Sequence, residues 1–245
     1  MPKKVFIYSL LILSCKFLPT GLIKGSELTV KSRKIYIDII IRNHKLRFLL
    51  DTGASFSAIS RPWAHKLNLK MIGKAKIAGA QRKWKKVNIY RLPHFQIGSK
   101  KLPNIELTGS KLSGYDGILG IDILKKLKII TIDLVKNKIH FKHIKNFTTT
   151  SSFQLMHGKK ILIPIRINNK TFKHFIFDTG GGTSDISYNL QRLLQLKKTG
   201  NTVNIVDVNG VVEKSYFVEA SSFCLKNYCK KNFQIMPAKY HNLVT

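Results

Sequence analysis

Two aspartates occupy the same short motif at two places in the chain. Asp51 and Asp178 each begin an Asp-Thr-Gly sequence, each follows an apolar run (residues 48–50 and 175–177), and each precedes an Ile-Ser pair. A carboxylate placed directly after a buried strand loses hydration, which disfavours its charged form, so it needs a partner or a chemical role. One such motif is weak evidence, because Asp and Gly are ordinary turn residues. Two equivalent copies favour a chemical role for both carboxylates.

The chemistry open to such a pair follows from the repulsion between its charges. Two carboxylates about 4 Å apart repel by about 4 kcal/mol at an effective dielectric of about 20, which separates their protonation steps by about three pH units. The pair then holds one proton over a broad acidic range. One carboxylate can act as general base on a water molecule while the protonated one polarises a carbonyl, which is peptide hydrolysis without a covalent intermediate. Because the titration belongs to the pair, neither role is assigned to a particular aspartate.

An internal repeat is what would bring the two motifs together. Asp178 lies 127 residues after Asp51, and at this offset the flanking apolar residues also align. The aligned positions are residues 34–37 with 161–164, Phe48 with Phe175, Ile59 with Ile186, and Leu67 and Leu69 with Leu194 and Leu196. A duplicated unit tends to pack about a pseudo-two-fold axis, as a homodimer does about a true one. We therefore expect Asp51 and Asp178 to meet at that axis.

The elements that must position the aspartates are predicted to be mainly strands. Residues 36–41 and 46–50 are apolar and β-branched around an Asn-His turn, and residues 161–167 and 172–177 repeat this pattern. Short helices are predicted at 61–67, 121–127 and 188–196, and a closing hairpin at 129–141. The predicted organisation is an N-terminal signal or anchor at 1–25, a first lobe at 26–145, a polar linker at 146–155, and a second lobe at 156–245 that is truncated at its C-terminal end.

The sequence of the first copy resembles a known family. Residues 49–55, Leu-Leu-Asp-Thr-Gly-Ala-Ser, are followed by Ile118, Leu119 and Gly120 within residues 115–124. This combination resembles the retropepsin-like aspartic proteases, especially the bacterial aspartyl-protease-family proteins, over residues 33–142 and over the Asp-Thr-Gly half of the second copy. The resemblance implies an all-β acid-protease fold of the retropepsin or pepsin type. In that fold two homologous β-barrel-like lobes with few short helices are related by pseudo-two-fold symmetry.

The resemblance also implies roles for individual residues. Asp51 and Asp178 would be the catalytic pair, acting on a polypeptide substrate without a cofactor. The residues that would support the catalytic turns are Thr52, Gly53, Thr179 and Gly180, with Ile118, Leu119 and Gly120 threading past the first turn as a psi-shaped loop. Each copy would also carry a flap, a β-hairpin that covers substrate. The flap tips would be Gly79 and Ala80 in the first copy and Asn209 and Gly210 in the second.

The second copy departs from the family pattern in two ways. Its turn continues Gly180-Gly181-Gly182 where Ala or Ser is usual after the first Gly, so we expect a looser loop. A second apolar-apolar-Gly segment is also missing before Thr245, although the repeat offset would place one near or just past that residue. We therefore expect the core of the second lobe to be under-filled.

The chain is strongly basic. It has 43 Lys and Arg against 12 Asp and Glu, a formal charge of +31. Such a field attracts nucleic acid, anionic lipid surfaces or acidic polymers. The basic residues are spread over the whole chain without a recognisable DNA or RNA motif, which favours a solvated basic surface over a specific nucleic-acid site. An anionic envelope surface remains a candidate partner, and the His residues show no metal-ligand spacing.

The ends of the chain carry further signals. Lys3 and Lys4 precede the apolar residues 5–14, which is typical of an export signal or an N-terminal anchor, and Cys15 lies in a sequence that loosely resembles a lipoprotein box. We therefore expect an extracytoplasmic location, periplasmic or secreted. Cys224 and Cys229 flank a predicted turn, and a bridge between them and two unpaired thiols both remain open.

Three hypotheses follow. The first is an exported, single-chain aspartic endopeptidase in which Asp51 and Asp178 form an intrachain pair, so that the monomer is a pseudo-dimer. The second is a homodimer that pairs Asp51 of each chain. The third is a non-catalytic module that uses the cleft or the basic surface for binding.

Overall fold

The chain folds mainly into β-strands. The computed structural model describes residues 8–9, 26–31, 33–78, 84–98, 100–141, 153–156, 160–206 and 212–238. The strands of the first half are β1 (Tyr8–Ser9), β2 (Ser26–Lys31), β3 (Lys34–Ile41), β4 (His44–Leu50), β5 (Ala58–Ser60), β6 (Lys70–Ala78), β7 (Trp84–Ile97), β8 (Lys100–Ser110), β9 (Gly117–Leu119), β10 (Thr131–Asp133) and β11 (Lys138–His140). Those of the second half are β12 (Gln154–Met156), β13 (Lys160–Ile167), β14 (Lys170–Ile176), β15 (Asp185–Ser187), β16 (Lys197–Val206), β17 (Val212–Leu225) and β18 (Tyr228–Ala238).

The helices are short, and each follows a three-residue strand, β5, β9 or β15. They are α1 (Arg61–Lys66), α2 (Ile121–Leu124), which continues into a 3-10 turn at Lys125–Leu127, and α3 (Tyr188–Leu193). The three predicted helices and the predicted closing hairpin are confirmed, with helix ends that differ by a few residues. None of the helices in the described part of the chain is long and apolar enough to cross a membrane.

The first lobe is built around a strand that is threaded between two others. Its eleven strands have the order β1-β10-β11-β2-β3-β4-β9-β5-β8-β7-β6. Strand β9 pairs in parallel with β4, where Leu49 lies opposite Ile118, and antiparallel with β5, where Ala58 lies opposite Ile118. Strand β5 in turn pairs in parallel with β8. These pairings fix the end of β4, where Asp51 follows, between buried strands.

The second lobe repeats much of this arrangement. Its seven-stranded sheet has the order β12-β13-β17-β18-β15, with β14 paired to β13 and β16 paired to β17. The hairpin β13–β14 corresponds to β3–β4, and the parallel pair β15–β18 corresponds to β5–β8. Strand β12 begins at Gln154, inside the predicted linker, because it pairs with β13. The predicted boundaries of the lobes otherwise stay a prediction.

Each lobe has its own hydrophobic core, and each core contains an aromatic pair of similar geometry. In the first lobe the rings of Phe48 and Phe95 meet edge to face at 6.1 Å and 74°. In the second, Phe175 and Phe223 meet at 6.2 Å and 78°. Since Phe175 is the repeat partner of Phe48, the same packing solution occurs twice. Such pairs stabilise a core by about 0.5–1.5 kcal/mol beyond the area that they bury.

A disulfide closes the last hairpin of the second lobe. Cys224 and Cys229 lie directly opposite each other on β17 and β18, and their sulfur atoms are bonded. The guanidinium of Arg166 lies 3.6 Å from both sulfur atoms. Of the two alternatives left open by the sequence, the structure has the bridge.

The two lobes meet through their Asp-Thr-Gly turns. The amide of Thr52 donates to Oγ1 of Thr179 at 3.2 Å, and the amide of Thr179 donates to Oγ1 of Thr52 at 3.0 Å. Reciprocal contacts of this kind are what a two-fold axis produces. The predicted fold class, an all-β acid-protease fold with two lobes related by pseudo-two-fold symmetry, is confirmed.

Candidate active site

Asp51 is held by its own turn and by the threaded strand. Its amide donates to the carbonyl of Leu119 at 3.0 Å, so β9 fixes the backbone at the point where β4 ends. The amide of Ala54 donates to Oδ1 of Asp51 at 2.8 Å, which orients the carboxylate. The side chain is only partly accessible to solvent.

Asp178 is oriented by a similar turn but is more exposed. The amides of Gly180 and Gly181 donate to its Oδ1 at 2.8 and 3.2 Å. The backbone before it is anchored on one side, where the amide of Phe177 donates to the carbonyl of Ile161 at 2.8 Å. Asp178 is exposed to solvent, whereas its repeat partner Asp51 is half-buried.

The two aspartates lie together across the interface between the lobes, and the two glycines of the motifs allow this approach. A Cβ atom on Gly53 would overlap the carboxylate of Asp178, and a Cβ atom on Gly180 would overlap that of Asp51. The carboxyl group of Asp51 is therefore close enough to that of Asp178 for the negative charge of Asp178 to act on it. Repulsion between two carboxylates at such a site disfavours the state in which both are ionised.

The pKa of Asp51 reflects this environment. Burial of the carboxyl group first, and the negative charge of the adjacent Asp178 second, raise the pKa of Asp51 from its usual 3.8 to about 7. The amide of Ala54 and the charge of Lys160 act in the opposite direction on this pKa. Asp51 therefore keeps its proton through the mildly acidic range, as the repulsion argument predicts for such a pair.

The two threonines tie the turns together with side-chain hydrogen bonds. Oγ1 of Thr52 donates to the carbonyl of Phe177 at 2.6 Å, and Oγ1 of Thr179 donates to the carbonyl of Leu50 at 2.7 Å. Each hydroxyl also accepts from the backbone amide of the other threonine, so both donate and accept across the interface. Thr52 is 3% exposed, and a buried hydroxyl is stabilising only when it is satisfied in this way.

The segment Ile118, Leu119 and Gly120 threads past the first turn and is locked there by a network that the sequence analysis did not find. The amide of Gly120 donates to Oγ of Ser57 at 2.9 Å, and Oγ of Ser57 donates to Oδ1 of Asp122 at 2.6 Å. Asp122 lies in the first turn of α2, where its carboxylate accepts from the amide of Ile123 and from the amide and hydroxyl of Ser57.

Lys160 is a second contact that sequence reasoning missed. It lies at the start of β13 in the second lobe, and its Nζ donates to the carbonyl of Gly53 in the first lobe. The contact brings a positive charge close to Asp51, which is why Lys160 lowers the pKa of that carboxyl group. At the repeat offset Lys160 aligns with Arg33, and this shared positive charge was the available sequence signal.

Tyr115 borders the site from the first lobe. It packs against the buried cluster of Leu49, Ala58 and Ile118, and its ring lies 6.0 Å from that of Tyr36. Burial first, and the charge of Asp51 second, raise the pKa of Tyr115. The phenol therefore stays neutral beside the carboxylate pair and is available as a hydrogen-bond donor.

The predicted flap tips lie outside the described residues. Gly79 and Ala80 follow β6, and Asn209 and Gly210 follow β16. The strands that lead to them pair as hairpins, β6 with β7 and β16 with β17. The flap role of these four residues stays a prediction.

Two further kinds of site, metal-binding groups and cavities, are relevant within the described ranges of the chain. No group of three or more His, Cys, Asp or Glu residues within the described ranges could hold a metal ion. A cavity of about 610 Å³ opens on the first lobe beside Trp63, Tyr115 and Asp116, but neither Asp51 nor Asp178 lines it. Asp116 is engaged there by the indole of Trp63 at 2.7 Å and by the amide of Arg47 at 2.8 Å.

Part of the chain is similar to known proteins. Residues 37–126, a little over a third of the chain, match the model of a family described as gag-polyprotein putative aspartyl protease. A retropepsin-like aspartic protease from Rickettsia conorii is similar at 26% identity, over 48% of this chain and 86% of that chain, with a TM-score of 0.35. The retroviral protease-like domain of Ddi1 from Leishmania major is similar at 19% identity, over 49% of this chain and 92% of that chain, with a TM-score of 0.33. A search of curated proteins finds no match.

The matched family segment contains Asp51 and the threaded strand but ends before the second motif. The assignment of the fold depends on the strand order and on the reciprocal contacts described above. Together these features define the class as a two-lobed protein with the acid-protease fold, and residues 37–126 of its first lobe match the gag-polyprotein putative aspartyl protease family.

Proposed function

We propose that this chain is a single-chain aspartic endopeptidase whose catalytic pair is Asp51 and Asp178. The observation that carries the proposal is the close approach of the two carboxyl groups, each against a glycine of the opposite motif. Two adjacent carboxyl groups that hold one proton between them are the arrangement that general acid and base catalysis of peptide hydrolysis requires.

The chemistry proceeds in two steps, each with two proton transfers. A water molecule between the carboxyl groups loses a proton to the ionised member of the pair and attacks the peptide carbonyl carbon, while the protonated member donates to the carbonyl oxygen. The tetrahedral gem-diol then breaks its C–N bond as the amine takes the proton that came from water, and one hydroxyl of the diol returns its proton to the other carboxylate as the product acid forms. One proton remains on the two carboxyl groups at the end, so the pair is ready for another cycle. The active range is the one in which the pair is singly protonated, and the raised pKa of Asp51 extends this range toward pH 7.

The proposal includes export. The apolar residues 5–14 after Lys3 and Lys4 support an extracytoplasmic site of action, where the substrate would be an unfolded polypeptide. Fractionation of cells that produce the full chain would test this, and recovery of all of the protein in the cytosol would overturn it. The export proposal and the catalytic proposal stand independently.

The catalytic test uses the purified chain and an unfolded polypeptide substrate between about pH 4 and pH 7. These limits are close to the usual pKa of an aspartate and to the raised pKa of Asp51. Asp51→Asn and Asp178→Asn should each abolish turnover, because either change removes the shared proton. Asp133→Asn is the matched control, since Asp133 accepts bonds in a distant surface turn. Turnover that survives in Asp51→Asn would refute the proposal.

A homodimer that pairs Asp51 of two chains is the second candidate, and the exposure of Asp178 favours considering it. In such a dimer Asp178→Asn would be silent, and specific activity would fall on dilution because the site would dissociate. For the single-chain enzyme, Asp178→Asn is inactive and specific activity does not depend on protein concentration.

A further inference from the structure

The repeat has one position that β9 fills in the first lobe and that none of the described strands fills in the second. In the first lobe, β9 lies between β4 and β5 and pairs with both. In the second lobe, β14 pairs with β13 and β15 pairs with β18, and no described strand lies between β14 and β15. We call this position the slot.

The residues beside the slot show what is missing. In the first lobe, the apolar residues Phe48, Leu49 and Leu50 are 0%, 2% and 1% exposed, because β9 covers them. Their repeat partners Phe175, Ile176 and Phe177 are all partly exposed. Apolar side chains at the end of a strand, next to a row of unpaired backbone groups, form a surface that favours the addition of a strand.

The backbone of Asp178 lacks the support that Asp51 has. The amide of Asp51 donates to the carbonyl of Leu119 in β9. Among the described residues, no carbonyl accepts from the amide of Asp178. A strand in the slot would supply this acceptor and would also reduce the exposure of the Asp178 side chain.

We propose that the slot binds an extended segment of another polypeptide, with the sequence pattern Gly-apolar-apolar-Gly, parallel to β14 and antiparallel to β15. The first lobe indicates this chemistry. A Cβ atom on Gly117 would overlap the ring of Phe48, and the same ring is present in the second lobe as Phe175. A Cβ atom on Gly120 would lie 2.8 Å from the carbonyl oxygen of Ala54, so the end of the segment also has room only for glycine. Strand addition to a sheet edge combines backbone hydrogen bonds with apolar contacts of this kind.

The inference about binding does not depend on catalysis, whereas its effect on turnover rests on the proposed function. A bound segment would fix Asp178 as β9 fixes Asp51, and turnover of an unfolded polypeptide should then increase. Binding without a change in turnover would count against the proposed catalytic role of Asp178 and leave the slot intact.

The test uses a fluorescent peptide with the sequence of residues 113–122 of this chain, added to the purified full chain. Fluorescence anisotropy should show saturable binding. A peptide with Leu119→Asp should not bind, because its charge would be buried. A peptide of unchanged sequence but with an N-methyl group on the backbone of Ile118 should bind about tenfold more weakly, since it loses a strand hydrogen bond. All changes are in the peptide, so folding of the protein does not affect the comparison.

Amide hydrogen exchange locates the peptide. Protection should increase at residues 175–178, and residues 48–51 should be unchanged because β9 already covers them. Absence of saturable binding, equal binding of the N-methylated peptide, or protection elsewhere would each overturn the proposal. So would a chain that sediments as a dimer and binds the peptide only after dissociation, because a second copy would then be the occupant of the slot.

Discussion

At the scale of single residues, the environment of Asp51 disfavours the ionised form of its carboxyl group. Its pKa of about 7 results mainly from burial and from Asp178, with Lys160 as the positive charge that limits the shift. The native chain therefore holds a proton on Asp51 over a range in which the unfolded chain has already released it near the usual 3.8. Stability falls as pH rises wherever the native state binds more protons than the unfolded state.

We predict that Asp51→Asn stabilises the chain at neutral pH while removing activity. Asparagine cannot ionise, so the variant avoids the loss of stability that the wild type undergoes between about pH 4 and pH 7, which amounts to up to about 4 kcal/mol. Urea unfolding at several pH values would measure this. The free energy of unfolding of Asp51→Asn should increasingly exceed that of the wild type as pH rises through that range, and the difference should vanish below it. Asp133→Asn should show no such pH-dependent difference.

Lys160 should set the upper pH limit of activity. Lys160→Met removes the charge that lowers the pKa of Asp51, so that this pKa rises and the basic limb of the pH–activity profile moves to higher pH. Lys160→Arg keeps the charge and should leave the limb in place. Lys173→Met, on an exposed lysine of β14, is the matched control. A basic limb that does not move in Lys160→Met would contradict this role.

At the scale of elements, the threaded strand β9 links two functions of the first lobe. It closes the sheet between β4 and β5, and it holds the backbone of Asp51. The strand is itself locked by Ser57, which is fully buried and bridges Gly120 and Asp122. Loss of this bridge leaves the half-buried carboxylate of Asp122 and the buried amide of Gly120 without one of their partners.

Ser57→Ala should therefore destabilise the chain by about 1–3 kcal/mol, the usual consequence of leaving a buried polar group unsatisfied. Activity should fall as well, because β9 positions Asp51. The free energy of unfolding would be measured for Ser57→Ala, Asp122→Ala and the double variant. We expect the two changes not to be additive, since both remove the same bond. The exposed Ser113→Ala serves as control and should change stability by less than about 0.5 kcal/mol.

At the scale of the whole molecule, the hydrogen bonds of Thr52 and Thr179 join the two lobes. Each threonine hydroxyl joins a backbone amide and a backbone carbonyl of the opposite lobe. These bonds lie at the pseudo-two-fold axis, directly beneath the aspartates. A change at Thr52 therefore acts on the geometry of both carboxyl groups at once.

In Thr52→Val the two lobes should unfold independently of each other, whereas in Thr52→Ser they should still unfold together. Valine has the shape of threonine but leaves the amide of Thr179 and the carbonyl of Phe177 without their partner, while serine keeps the hydroxyl. We expect activity to fall at least about tenfold in Thr52→Val, with unfolding in two transitions in place of one. A single transition at the wild-type midpoint with full activity would show that the lobes do not need this contact.

The features that could be predicted from the sequence are those written in short, contiguous patterns. The two Asp-Thr-Gly motifs, the Ile118-Leu119-Gly120 segment and the strand pairs around them are each visible within a few residues. The features that were missed join residues far apart in the chain. Ser57 and Asp122 are 65 positions apart, and Lys160 reaches Gly53 across 107 positions. No periodicity marks such a contact, which is why the bond between Ser57 and Asp122 could not be predicted.

By itself, the sequence determined that one β-rich unit occurs twice and that each copy places an aspartate after an apolar strand. Periodicity and repeat spacing encode this, because they depend on neighbouring residues. Only the tertiary structure decided how the two copies differ. Burial depends on what distant segments lie against a residue, and β9 covers the strand before Asp51 while no described strand covers the one before Asp178. Two nearly identical motifs thereby acquire unequal environments, a half-buried carboxylate with a raised pKa and an exposed one beside the slot.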